Sequence, residues 1–138
     1  MINKIVVAYD GSEHAARAFE LGLDMAAHYS AKVHVLSVVR IPEVPDDVET
    51  EAIIENASES YEKRFAPLKA RSAKLGIESS FEVKVGHPAE QIVACADELG
   101  AQLIVLGHRG RSGISRWLLG SISKRVLSYA HCSVLIAR

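Results

Sequence analysis

Short runs rich in Ile and Val alternate along this chain with longer stretches whose apolar residues recur at helical spacing. Ile2 to Tyr9 is the first such run, and it reads as a strand buried on both faces, as in a parallel sheet. Asp10-Gly11-Ser12 ends it, and Ser12 is suited to cap a helix. Ala15, Phe19, Leu23 and Ala26 then repeat at helical spacing with Ala16 and Ala27 alongside, while His14, Arg17, Glu20 and Asp24 mark the wet face. Lys32 to Val39 is a second strand. Pro42 and Pro45 make the segment from Ile41 to Asp47 a loop.

A long helical pattern follows, with Ile54, Ala57, Tyr61, Phe65, Leu68 and Leu75 on one stripe. Pro67 lies inside it and is expected to kink or break the helix, and Gly76 to stop it. Ile77 to Val85 alternates apolar and polar residues, the pattern of a less buried or edge strand. Gly86-His87-Pro88 opens the next helix, with Pro88 at its first position. Ala89, Ile92, Val93, Ala96 and Leu99 form its buried stripe, and Gly100 is its stop. Leu103 to Leu106 is a buried strand, Gly107 to Gly120 a glycine- and arginine-rich connection, Ser121 to Ala130 a short helix and Ser133 to Ala137 a final strand. The order βαβαβαβαβ predicts an α/β fold, a doubly wound parallel sheet with helices on both faces. No repeat or linker divides the sequence, so residues 1–138 read as one domain.

Composition narrows the function classes. No apolar run approaches the length of a bilayer span, and Asp10 soon interrupts the short run after Lys4, unlike a secretory signal. A cytoplasmic protein with no membrane partner is expected. The two cysteines, Cys95 and Cys132, form no CxxC pair and read as small buried hydrophobes. A net charge of −1 argues against general nucleic-acid binding. Its distribution says more. Glu98 is the last acidic residue, so the segment after it carries +6 and the first 98 residues carry −7. A positive segment on a near-neutral chain suits a small anion such as a phosphate group, or is a bias in solvated surface charge.

In open parallel sheets, ligands bind outside the carboxyl ends of the strands where the strand order reverses. Two connections begin at such ends: Tyr9-Asp10-Gly11-Ser12, and Gly107-His108-Arg109-Gly110-Arg111-Ser112-Gly113, which leads to Gly120-Ser121 at a helix start. Glycine lets main-chain N–H groups approach a phosphate, and a helix N-terminus adds free donors and a positive dipole end. Ser121 and Ser123 would add hydroxyls, and Arg109, Arg111 and Lys124 charge. The loop is either such a cradle or a flexible surface turn. Asp10 either binds a ribose, base or metal, or simply ends the strand in an Asx turn. Of the six histidines, His108 is the one placed near the ligand, with His14, His28 and His131 at surfaces or helix ends. No GxxxxGK(S/T) or GxGxxG is present, and Ile114 stands where a GxSxG elbow needs glycine. No histidine spacing supports a structural zinc site.

At these residues the sequence resembles the universal stress protein family. Gly107-x2-Gly110-x9-Gly120-Ser121 is similar to the family's ATP-binding pattern G-x2-G-x9-G-(S/T) at every fixed position. Ile5 to Glu13 looks like the family's first strand and turn, Gly86 to Ile92 like its entry to helix 3, and Cys132 to Ile136 like its last strand. Two departures stand outside the nucleotide motif: Ser133 where proline is more usual, and Gln102 where aspartate is common. The resemblance implies a Rossmann-like, adenine nucleotide α-hydrolase-like sheet of five strands in the order 3-2-1-4-5. It implies that Gly107 to Gly113 and Gly120 to Ser123, Ile122 included, hold ribose and phosphates. Asp10 and Ala8 would lie against the nucleoside and the Val38 backbone against adenine, and Mg²⁺ or Mn²⁺ would bridge the phosphates. It also implies a homodimer. Strand 133–137 would be an uncovered apolar edge, which tends to pair with its copy.

Three functions follow. The leading one is an ATP-binding regulatory module that changes contacts with an unidentified protein partner according to its nucleotide. The second is a slow ATP hydrolase or nucleotidyl-transfer enzyme, for which no general base is assigned. The third is a dimeric interaction protein that binds no nucleotide.

Overall fold

A computed structural model describes residues 1–41, 47–109 and 119–138. Pro42 and Pro45 lie outside the described residues. Among the described residues five strands and four helices alternate: β1 Lys4–Ala8, α1 Glu13–Tyr29, β2 Lys32–Val39, α2 Asp47–Lys74, β3 Ser79–Val85, α3 Pro88–Leu99, β4 Leu103–Gly107, α4 Ser121–Tyr129 and β5 Ser133–Ala137. The sheet is parallel in the order β3-β2-β1-β4-β5, so β1 is central and β3 and β5 are the edges.

Alternate side chains of each strand go to opposite faces, which builds two cores. Ile5, Val7, Val33, Val35 and Val105 pack with Phe19 and Leu23 of α1 and Phe65 of α2. Val6, Leu36, Ile104 and Leu106 pack with Ile92 and Cys95 of α3 and Val126 of α4. Edge strand β3 sends Phe81 and Val83 to the first core, which leaves its polar Ser80, Glu82 and Lys84 on the opposite face.

Helix α1 starts as its sequence predicts: the Ser12 side chain accepts a hydrogen bond from the Ala15 N–H at 3.1 Å. Its buried stripe is shifted from the expected one. Ala16 and Ala27 are exposed, whereas Ala18 and Gly22 are buried. Gly22 presses on β1, where a Cβ would stand 2.7 Å from Val7 Cγ2.

Helix α2 is not broken at Pro67, one of the two outcomes expected there, but runs on to Lys74. Proline removes one helical donor, so the Lys63 carbonyl loses its usual partner. Both residues are on the exposed face, where water can satisfy that carbonyl, while neighbouring Phe65 is fully buried. Leu75 is 47% exposed and lies outside the stripe.

Pro88 opens α3, and Gly100 closes it in a left-handed conformation. Gln102 then ties two strands together. Its Oε1 accepts from the Asn3 and Lys4 N–H groups, both at 2.8 Å, so it bridges the entries of β1 and β4. Cys95 is buried as expected, but Cys132 is only half-buried, and both are free thiols. No helix among the described residues is long and apolar enough to cross a membrane.

Candidate functional site

From β1 the chain turns to β2 on one side, and β4 lies on the other, so the strand order reverses beside β1. A cavity of about 760 Å³ opens at the carboxyl ends of these strands. That volume and place suit a small-molecule site. Ala8, Tyr9 and Asp10 line it from the end of β1, Val38 and Arg40 from the end of β2, and Gly107 and Arg109 from the end of β4. Gly120, Ser121, Ile122 and Ser123 line it from the start of α4. Of the expected site residues, Gly110, Arg111, Ser112 and Gly113 lie outside the described residues.

Asp10 adopts the Asx turn. Its Oδ1 accepts from the Ser12 N–H at 2.9 Å, and the residue lines the cavity. Gly11 follows with φ of 84°, a left-handed conformation that glycine adopts without penalty.

The segment 107–120 is held at both ends. His108 N–H donates to the Ala137 carbonyl at 2.6 Å, and the His108 carbonyl accepts from Gly120 N–H at 2.9 Å. Ser123 Oγ donates to the Gly107 carbonyl at 2.8 Å. The buried Ser123 hydroxyl therefore fastens α4 to β4, where a phosphate donor had been expected. Gly120 caps α4 without a side-chain hydrogen bond, and the first turn, which lines the cavity, carries no acid to offset its free N–H donors.

Arg109 is the most telling group. Its Nε and Nη2 are buried and find no hydrogen-bond partner among the described residues. A guanidinium left in that state is costly unless an anion completes it. Asp10 is the one acidic lining residue among those described, against Arg40, Arg64 and Arg109. The cavity therefore attracts anions.

His108 is buried but is not a lining residue. Burial, helped by Arg138, Arg109 and His14, pushes its imidazole pKa below the usual histidine value. Its ring lies 6.1 Å from that of His14. His14 was expected on the wet face, yet its Nδ1 is buried without a partner among the described residues and its backbone abuts Gly107. His131 is exposed as expected, 3.1 Å from an Asp97 oxygen.

One wall was not legible in the sequence. Ala57, Ser60, Tyr61 and Arg64 of α2 cover the outer side of the cavity. Arg64 lies 6.0 Å from the Tyr61 ring centre and reaches over Gly11. Tyr61 stood on the predicted apolar stripe, but nothing local said which surface that stripe would meet.

The family model described as the universal stress protein family matches residues 1–138. A universal stress protein of Methanocaldococcus jannaschii is 32% identical over 141 residues, covering 100% of this chain and 83% of that protein. The solved structure of universal stress protein UspA from Lactobacillus plantarum shares 23% identity and superposes with a TM-score of 0.87, covering 99% of this chain and 98% of that one. A universal stress protein solved in complex with cAMP shares 25% identity with a TM-score of 0.71, covering 99% and 97% of the two chains.

Proposed function

This chain belongs to the universal stress protein family, and we propose that within it the protein is an ATP-binding regulatory module that holds its nucleotide rather than consuming it rapidly. The observation that carries this reading is Arg109, which lines a cavity of about 760 Å³ and whose buried Nε and Nη2 lack partners among the described residues. A phosphate supplies what those nitrogens lack. The uncapped N-terminus of α4 adds main-chain donors on the same side. The glycine pattern Gly107, Gly110, Gly120 and Ser121 belongs to ATP-binding members by resemblance. The cAMP complex of a relative supports an adenine nucleotide here.

In this reading Val38 and Ala8 lie against the base and nucleoside, and Arg109 and the start of α4 against the phosphates. A divalent ion, Mg²⁺ or Mn²⁺, would offset the phosphate charge there. Asp10 Oδ2 is the carboxylate oxygen available to such an ion, because Oδ1 is committed to the Ser12 N–H. That same commitment favours holding over hydrolysis, since the one acidic lining residue among those described serves the turn. Nucleotide state then alters contacts with a partner protein. Edge strand β5, residues 133–137, pairs with its copy in a homodimer. The protein works in the cytoplasm.

Mass spectrometry of the nucleotide released from denatured purified protein tests the reading, alongside calorimetry with ATP and Mg²⁺. ATP is expected to co-purify unhydrolysed, and Arg109→Ala to weaken binding about tenfold or more, about 1.4 kcal/mol. If no nucleotide is released and millimolar ATP leaves the melting temperature unchanged, the reading fails. Turnover abolished by Asp10→Ala would replace it with the hydrolase. Light scattering that gives a mass near 15.0 kDa would remove the dimer.

A further inference from the structure

On the face of the sheet opposite α1 and α2, edge strand β3 presents polar side chains beside α3. His34 of β2, Glu82 of β3 and Cys95 of α3 meet there, and one ligand-type atom from each lies within 4.8 Å of the other two. The geometry points to a zinc site at this edge, with His34 Nε2, a Glu82 carboxylate oxygen and Cys95 Sγ as its protein ligands.

The donors and their spacing support it. Imidazole, carboxylate and thiol together select zinc over Mg²⁺ or Ca²⁺, which take oxygen ligands. His34 Nε2 and Glu82 Oε1 are 3.1 Å apart. Two such atoms bound to one tetrahedral zinc would be separated by about 3.3 Å, and nitrogen and sulfur by about 3.6 Å. The first pair is already at binding distance, and the sulfur has at most about 1.2 Å to close.

The support behind the histidine is also built. His34 Nδ1 lies 2.6 Å from Ser80 Oγ. A hydroxyl can donate or accept. It can donate to Nδ1 while Nε2–H faces Glu82, and accept from Nδ1–H once Nε2 gives its lone pair to a metal. Partners of this kind orient metal-binding histidines.

Charge balances as well. Cys95 gives its thiol proton to solvent on binding, so thiolate, carboxylate and Zn²⁺ sum to zero. Lys84 is the nearby cation that opposes a metal, and Glu98 already pairs with it at 3.4 Å. Cys95 is 1% exposed, but the Glu82 side chain is 40% exposed, which gives an ion its entry and leaves the fourth position to water. The ligands come from three separate elements, so no sequence spacing announces them. The expectation of no zinc site rested on spacing alone.

The test uses nucleotide-free protein stripped with chelator, first dialysed against ZnCl₂ and then titrated with Co²⁺. One zinc per chain is expected, as is a sulfur-to-cobalt charge-transfer band. Cys95→Ser should abolish the band, His34→Gln and Glu82→Gln should each weaken zinc binding at least tenfold, and Cys132→Ser should leave both readouts intact. Circular dichroism verifies folding, and the exposed Glu82→Gln keeps the test open if Cys95→Ser unfolds. Absence of the cobalt–thiolate band in the native chain, or zinc affinity unchanged in folded His34→Gln and Glu82→Gln, overturns the proposal.

Discussion

Gly107 and His14 are in such close contact that the end of β4 and the first turn of α1 have no room for a methyl group between them. A Cβ on Gly107 would stand 2.6 Å from His14 Cβ and 2.8 Å from its carbonyl carbon. Glycine at the first position of the nucleotide motif is therefore required by packing, since its φ is not positive. Gly107→Ala should destabilise the protein by about 1–3 kcal/mol, because backbone cannot yield as a side chain can. Urea unfolding of the variant measures this; an unchanged midpoint would contradict the contact.

Arg64 offers the complementary case, a flexible side chain poised over a turn. A Cβ on Gly11 would fall 1.7 Å from Arg64 Nη1. The guanidinium belongs to a residue that lines the cavity of the proposed site. Arg64→Ala should weaken ATP about fivefold at low salt, roughly 1 kcal/mol, and less as salt screens the charge. Calorimetry at two ionic strengths reads both effects. Gly11→Ala should lose affinity and also fold less stably, by about 1 kcal/mol, because it must strain at φ of 84°.

His108 makes stability depend on pH. Burial lowers the folded imidazole's pKa from the ordinary 6.5, so the unfolded chain binds the proton more readily. The contribution is complete above about pH 6.5 and is lost as pH falls from there through the folded value. Unfolding midpoints at pH 7.5 and 5.5 should differ, and His108→Asn should reduce the difference. Equal slopes for the two proteins would show that another group is responsible.

Gln102→Ala removes one oxygen that serves two main-chain donors, Asn3 N–H and Lys4 N–H. Both are exposed, so water replaces part of the loss, and a cost of about 1 kcal/mol is expected. Hydrogen exchange at those two amides should accelerate more than at the centre of β1.

The order of elements was legible because its signals are local. Ile- and Val-rich runs, Ser12 before α1, Pro88 and Gly100 around α3 all act within a few residues of where they stand. Strands 32–39 and 133–137 fall where their patterns put them. Small residues were harder. Ala16 and Ala18 look alike in sequence, and only the bearing of α1 on β1 selects Ala18 and Gly22 for the interior. Asp10, Gly107 and Gly120 could be placed together from topology, since strand ends meet at one rim. The α2 wall, the burial of His14 and the meeting of His34, Glu82 and Cys95 depend on how elements pack, which no local pattern encodes.

The fastening of Gly120 N–H to the His108 carbonyl, and of Ser123 to Gly107, closes a neck where the chain leaves the sheet and returns. Closing such a neck costs an entropy that grows only slowly with the number of residues it encloses. Doubling the number of residues between 109 and 119 would add only about 0.6 kcal/mol of closure entropy. Relatives, or engineered descendants, can thus exchange this stretch for longer or differently charged ones and reset ligand preference while the scaffold keeps its stability.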